Sequence, residues 1–85
     1  MNGYRLVLKR SAEKELLALD DKISLRVAEA INALIENPFP HGAIKLTDRS
    51  GHRVRVGDYR IIYEVDTKVQ KIEVTAIRHR RDAYD

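Results

Sequence analysis

The feature that most constrains the fold is a pair of alternating segments around Gly57-Asp58, within the stretch RVRVGDYR at residues 53–60. β-Branched and aromatic residues alternate with arginines on both sides of the glycine, which is typical of strands with one buried face. A Gly-Asp pair between two such segments predicts a two-residue hairpin loop of type II′. With that loop, Arg55 lies directly opposite Arg60.

The two faces of the predicted hairpin differ in chemistry, because directly opposed residues share a face. One face carries apolar side chains, namely Val54, Val56, Tyr59 and Ile61. The other face carries Arg53, Arg55 and Arg60. Like charges opposed across two strands destabilise a sheet by ~0.2–1 kcal/mol per pair. Two interpretations remain open: the arginines extend into water, or they bind an anion, because the guanidinium fork matches phosphate oxygens.

The residues ahead of the hairpin predict a strand followed by a short helix. Apolar and basic residues alternate over residues 4–9, a period of two that indicates a strand. Ser11 is predicted to cap a helix over roughly residues 12–19. Glu13 and Glu15 would then lie near the positive end of the helix dipole.

A second helix has the strongest periodic signal in the chain. Its apolar residues recur at helical spacing: Ile23, Val27, Ile31 and Leu34. Asp20-Asp21 precedes this segment and can cap it. Glu36 is predicted to end it, because Asn37 precedes Pro38 and is disfavoured in a helix.

Three strand-like segments follow the loop at residues 37–44, at roughly residues 52–56, 59–65 and 69–77. The whole order is a strand, a helical hairpin and a three-stranded antiparallel meander. This order predicts one α+β domain over residues 1–85, with the helices packed on one face of a largely antiparallel sheet.

Composition limits the kind of chemistry. The chain has 85 residues, a net charge of +3 and no cysteine, so disulfides and thiolate zinc sites are excluded. The histidines at positions 41, 52 and 79 match no ligand motif, and we expect neither a metal nor a cofactor. No signal peptide or transmembrane stretch is evident, so we expect a cytoplasmic protein that does not bind membranes.

The last eight residues, RHRRDAYD, add cations and a tyrosine to the arginine face. The last strand is predicted to end near Ile77, which places this basic segment at the edge of the sheet. A tyrosine ring such as that of Tyr84 can stack on an RNA base. The alternative is a solvated, frayed terminus.

Four parts of the sequence together resemble the RelE/ParE superfamily of toxins: Asn37-Pro38, Lys45-Leu46, HRVRVGDYRIIYEV (52–65) and IRHRRDAY (77–84). The order of elements agrees with that family over the whole chain, and the ending resembles the RelE-type messenger-RNA interferases of type II toxin–antitoxin systems. The resemblance implies a metal-independent endoribonuclease. Such an enzyme cleaves mRNA in the ribosomal A site by attack of the 2′-hydroxyl on the phosphodiester, which inhibits translation.

The resemblance also implies roles for individual residues. Arg60 and Arg80 would stabilise the charge on the transferring phosphate, with Arg81 as the alternative to Arg80 one residue along. Tyr84 would act as the base or as a stacking platform. The predicted RNA-binding residues are Arg53, Arg55, Arg78, His79 and Arg81.

The partners implied by the resemblance are a cognate antitoxin, the ribosome with its mRNA, and operator DNA bound indirectly through the antitoxin. Ile62, on the arginine face, is a predicted apolar contact for the antitoxin. Two other functions remain open. A ParE-like inhibitor of DNA gyrase would need no nuclease chemistry, and a non-catalytic nucleic-acid-binding module would lose affinity uniformly when arginines are removed.

Overall fold

A computed structural model describes residues 3–46 and 51–82 of the chain. The elements are β1 (Arg5–Leu8), α1 (Arg10–Leu17), α2 (Asp21–Ala33), β2 (Ile44–Lys45), β3 (His52–Val56), β4 (Tyr59–Asp66), β5 (Lys71–His79) and a terminal 3₁₀ turn (Arg80–Asp82). The predicted α+β class and the order of strand, helical hairpin and meander are confirmed. Within the described residues, no helix combines the length and the apolar character of a membrane-spanning segment.

The five strands within the described residues form one sheet in the order β1-β5-β4-β3-β2. The meander of β3, β4 and β5 is antiparallel, as predicted. The first strand, β1, pairs with β5 in a parallel arrangement. Parallel neighbours need a long connection, and here the chain between β1 and β5 supplies it. The sheet is therefore mixed, with its one parallel pair at an edge.

The β3–β4 hairpin has the predicted register, with Arg55 opposite Arg60 and Val56 opposite Tyr59. Gly57 has φ +59° at the first position of the loop. A positive φ at this position is the requirement of a type II′ turn, and glycine meets it without steric cost. The local turn chemistry therefore fixes which hairpin side chains share a face.

The core lies between the inner face of the sheet and the helical hairpin. Its buried members are Ala12, Val27, Ile31 and Leu34 from the helices and Val56, Ile61, Tyr63, Ile72, Val74 and Ile77 from the sheet. Tyr63 is fully buried, and its hydroxyl donates a hydrogen bond to the Pro38 carbonyl oxygen at 2.7 Å. This bond ties the loop after α2 to the centre of the sheet.

The start of α1 differs from the prediction. The N-cap position is Lys9, which makes no side-chain cap, and Ser11 lies inside the first turn. The Ser11 hydroxyl donates to the Thr75 carbonyl oxygen on β5 at 3.4 Å. The prediction of Ser11 as the cap was wrong because α1 packs along β5, where the serine meets a backbone acceptor.

Other boundaries also differ. Helix α2 ends at Ala33, and a turn covers residues 34–36 before Asn37. Strand β5 continues to His79, past the predicted end at Ile77. Its extension follows from pairing with β4, which reaches Tyr59 opposite His79. Arg78 and His79 therefore belong to the sheet.

Candidate nucleic-acid interface

Three arginines stand in register across three neighbouring strands. Arg60 on β4 is opposite Arg55 on β3 and also opposite Arg78 on β5. Directly opposed residues share a face, and strands lie ~4.8 Å apart, so the outer two backbones are separated by roughly 10 Å. We call these three residues the arginine row. They lie on the outer face of the sheet, the face turned away from α1 and α2.

An apolar strip runs beside the arginine row. Arg53 is opposite Ile62, and Ile62 is in turn opposite Ala76. Ile44 on β2 continues this line next to Arg53 and is 48% exposed. The register agrees with the prediction that Arg53 and Ile62 share the arginine face. The arginine row is therefore bordered by one further cation, Arg53, and by aliphatic side chains.

Arg78 reaches the outer face because β5 contains a β-bulge. Val74 is buried on the inner face, and strict alternation from it would turn Arg78 towards the core. The register shifts by one residue at Thr75, which has no partner on β4. Ile77 consequently enters the core, and Arg78 faces outward beside Arg60. A bulge that redirects a side chain in this way is common next to functional sites.

Helix α1 covers the edge of β5 beyond the end of β1. Strand β1 pairs with β5 only as far as Leu8 opposite Val74. Beyond that point the Glu15 carboxylate accepts the Ile77 backbone N–H through Oε1 at 2.8 Å. Its other oxygen, Oε2, lies 2.9 Å from the Arg78 Nε atom. Sequence reasoning missed this contact, because nothing in the local pattern links α1 to a strand end so far along the chain.

The terminal 3₁₀ turn folds back on the β3–β4 loop. The Arg80 N–H donates to the Asp58 carbonyl oxygen at 2.7 Å. The Arg80 Nε atom is 3.9 Å from Asp58 Oδ1, and both side chains are about 60% exposed (62% and 63%). An exposed pair at that separation contributes little to stability. Arg80 is therefore held at the same end of the sheet as the arginine row mainly by its backbone.

The other predicted residues of the C-terminal segment are not in the row. His79 is opposite Tyr59 on the inner face, and the two rings meet edge to face with centroids 5.2 Å apart. Its Nδ1 atom accepts the Arg81 backbone N–H at 3.2 Å, while Arg81 itself is exposed. Tyr84 lies outside the described residues.

The opposite end of the sheet is chemically different. A cavity of about 620 Å³ there contains none of the predicted site residues and is lined by acidic and basic side chains, including Glu64, Glu73, Lys45 and Lys71. The described residues contain no group of three or more His, Asp or Glu side chains placed to hold a metal ion. Charges of both signs are thus mixed at this end of the sheet, whereas the arginine row lies at the end near the β3–β4 turn.

His52 lies at the edge of this second region. Its ring stacks on Tyr63 with centroids 5.8 Å apart and meets the Phe39 ring edge to face at 5.0 Å. Burial, with a smaller effect from the Lys45 ammonium, lowers the pKa of His52 below its ordinary 6.5. The neutral ring is thus favoured, as expected for a packing role.

Comparison with known proteins agrees with the fold and the sequence pattern. Residues 6–84 match the family model described as the ParE toxin of type II toxin–antitoxin systems, parDE. The chain belongs to this toxin family. It is also 30% identical over 83 residues to Toxin RelE of Mycobacterium tuberculosis (strain ATCC 25618 / H37Rv), a match that covers 95% of this chain and 86% of that protein.

Solved structures of toxin–antitoxin complexes contain chains similar to this toxin. The RelE–RelB complex of Pyrococcus horikoshii OT3 includes one with a TM-score of 0.80 and 28% identity, covering 98% of this chain and 100% of the other. The RelBE2 complex of M. tuberculosis includes one with a TM-score of 0.81 and 25% identity, covering 96% and 97%. The YoeB/ParE toxin of Agrobacterium tumefaciens shares the fold, with a TM-score of 0.75, 22% identity and coverage of 88% and 96%. The predicted membership of the RelE/ParE superfamily is confirmed.

Proposed function

We propose that this toxin is an endoribonuclease that cleaves mRNA in the ribosomal A site and thereby inhibits translation. The observation that carries the proposal is the arginine row, in which Arg55, Arg60 and Arg78 share one outer face in direct register. Opposed like charges weaken a sheet, and a bound phosphodiester would offset the repulsion among these three side chains. Arginine suits such a ligand, since it matches phosphate oxygens with paired donors.

The chemistry needs few protein groups, because RNA carries its own nucleophile. The 2′-oxygen forms a bond to phosphorus while the bond to the 5′-oxygen breaks. The 2′-hydroxyl loses a proton to a base, and the departing 5′-oxygen takes one up. The enzyme must align these atoms and stabilise the negative charge that develops on the phosphate.

The predicted site residues have different proposed roles, which follow from their positions in the sheet. Arg60, at the centre of the row, and Arg80, beside the β3–β4 loop, would stabilise the phosphate charge. We add Arg78, a predicted RNA-binding residue, to this group because it lies opposite Arg60. Arginine does not serve as the base, because its guanidinium stays protonated in proteins. Tyr84 remains the predicted base or stacking platform. The remaining predicted RNA contacts are Arg53 and Arg55 on β3 and His79 and Arg81 outside the row.

The proposal is tested with purified toxin and ribosomes programmed with a defined mRNA, with cleavage mapped by primer extension. We expect cuts at A-site codons for the wild type and a loss of ~10²–10³ in rate for Arg60→Ala, the usual effect of removing one charge-stabilising donor. Arg10→Ala is the matched control, because it removes the same charge from the start of α1. If the mRNA stays intact after incubation with folded wild-type toxin, the proposal is refuted.

Inhibition of DNA gyrase is the rival function, and the family model that matches this chain bears the ParE name. The two functions separate in a supercoiling assay run with the same protein. A gyrase inhibitor blocks supercoiling and leaves the mRNA intact, and it does not need Arg55 for chemistry. Cleavage without an effect on supercoiling supports the endoribonuclease.

A cognate antitoxin is the proposed protein partner, as in the RelE–RelB and RelBE2 complexes of the relatives. Leu17 and Leu25 on the helical hairpin are 79% and 62% exposed, and Ile44 is exposed beside the arginine row. An acidic antitoxin segment with apolar anchors would suit these surfaces and the net charge of +3. Antitoxin addition should raise the melting temperature of the toxin. Binding of operator DNA through the antitoxin and a cytoplasmic location remain predictions.

A further inference from the structure

We propose that Glu15 is a positioning residue that holds Arg78 in the arginine row, where Arg78 stabilises the charge on the transferring phosphate. This role rests on the proposed cleavage of RNA. Glu15 lies on α1, and each of its carboxylate oxygens has a separate contact on β5. Oε1 accepts the Ile77 N–H at 2.8 Å, and Oε2 pairs with the Arg78 Nε atom at 2.9 Å.

The way Glu15 holds Arg78 leaves the useful end of the guanidinium available. An arginine has five N–H donors, and Nε supplies one of them. A carboxylate bound at Nε restrains the orientation of the guanidinium, and the two terminal nitrogens would then bind the phosphate. The Arg78 side chain is 45% exposed and the Glu15 side chain 30%, so the pair is accessible yet partly sheltered from solvent. The carboxylate also reduces the repulsion between Arg78 and its neighbour Arg60.

The same helix stabilises the bulge that turns Arg78 outward. Ser11 and Glu15 are four residues apart and therefore lie on one side of α1. Ser11 donates to the Thr75 carbonyl oxygen at 3.4 Å, and Glu15 accepts the Ile77 N–H. The Thr75 hydroxyl donates to the Ile62 carbonyl oxygen at 3.3 Å on the other side. Helix α1 thus takes the place of a neighbouring strand along the bulged part of β5.

Glu15→Gln separates positioning from folding. The glutamine retains an oxygen acceptor, so the backbone N–H of Ile77 keeps its hydrogen bond. The negative charge that faces Arg78 is lost. We expect kcat on programmed ribosomes to fall by ~10–100-fold, the range expected when a reacting group is misplaced. We expect KM and the melting temperature to change little.

The change in net charge would by itself favour RNA binding, so it does not explain a fall in kcat. Loss of one negative charge raises the net charge from +3 to +4, which favours RNA binding. Glu13→Gln is the matched control, since it makes the same charge change on α1 at an exposed position. We expect Glu13→Gln to retain wild-type kcat. A fall in kcat confined to Glu15→Gln therefore identifies the contact with Arg78 as the cause.

A double-mutant cycle with Arg78→Ala decides whether Glu15 acts through Arg78. In the Arg78→Ala background, Glu15→Gln should cause no further loss of kcat. An undiminished loss in that background would show that Glu15 acts elsewhere and would overturn the proposal. Full activity of the Glu15→Gln single variant, or faster cleavage by it, would overturn the proposal as well.

Failure of this inference is distinguishable from failure of the proposed function. If wild-type toxin leaves mRNA intact on programmed ribosomes, the proposed function is wrong and the positioning role falls with it. If the wild type cleaves and Glu15→Gln cleaves equally well, only the positioning role is wrong. In NMR spectra, the Arg78 Nε–H should exchange with solvent slowly in the wild type and faster in Glu15→Gln. Equal exchange would contradict the contact in solution.

Discussion

Arg55→Gln should make the fold more stable while it weakens RNA binding. The change removes one member of the opposed pair Arg55 and Arg60 and retains most of the side-chain length. One like-charged pair across two strands costs ~0.2–1 kcal/mol. A domain of this size gains about 4–8 °C in melting temperature per kcal/mol. Because Arg55 is exposed and screening reduces the repulsion, we expect an increase of about 1–5 °C at low ionic strength.

The assay is thermal unfolding followed by circular dichroism at low salt and at ~1 M salt, where the Debye length is only ~3 Å and the gain should vanish. Lys68→Gln is the control, because it removes one positive charge from the β4–β5 turn and leaves the arginine row intact. Binding of single-stranded RNA to Arg55→Gln should weaken, and its salt slope should decrease by ~0.7 for one lost phosphate contact. A lower melting temperature for Arg55→Gln, or an equal increase in melting temperature for Lys68→Gln, would refute the view that repulsion within the arginine row lowers the stability of the fold.

Three further predictions concern the core and its pH dependence. Tyr63→Phe leaves the Pro38 carbonyl oxygen without its 2.7 Å donor and should lower the free energy of unfolding by ~1–2 kcal/mol in urea titrations, with Tyr4→Phe as the control. Ile61→Ala, at a fully buried position, should cost ~2–5 kcal/mol in the same assay, and a cost below 1 kcal/mol would contradict the packing described. Since the folded state lowers the pKa of His52 below 6.5, the unfolded chain binds more protons between the two pKa values, and stability should fall as the pH drops from about 6.5 through the lower value. Thermal unfolding across this range should show the decline in the wild type and a flatter profile in His52→Gln; identical profiles would contradict the assignment.

Local chemistry made the hairpin predictable. Gly57 supplies the positive φ that a type II′ turn needs, and the turn then sets every opposed pair in the two strands. The faces of Arg53, Arg55 and Arg60 followed directly. The second helix was equally predictable, because its apolar residues repeat at helical spacing and one face must be buried.

The other half of the site depends on contacts between distant parts of the chain. Nothing local indicates that β1 lies parallel to β5, or that α1 takes over the edge where β1 ends. The bulge at Thr75 arises from the pairing with β4, and strict alternation from Val74 places Arg78 on the wrong face. Sequence reasoning therefore assigned Arg78 to a basic terminal segment and overlooked Glu15 as its partner.

Guanidinium groups from neighbouring strands are proposed to meet at one phosphodiester. The most direct test follows the arginine Nε–H signals in NMR spectra while a 2′-O-methyl trinucleotide, which lacks the nucleophile, is titrated into the toxin. The account predicts that the signals of Arg55, Arg60 and Arg78 shift together and saturate with one dissociation constant, while that of Arg10 on α1 stays in place. Shifts confined to the helical arginines, or separate dissociation constants within the row, would contradict it.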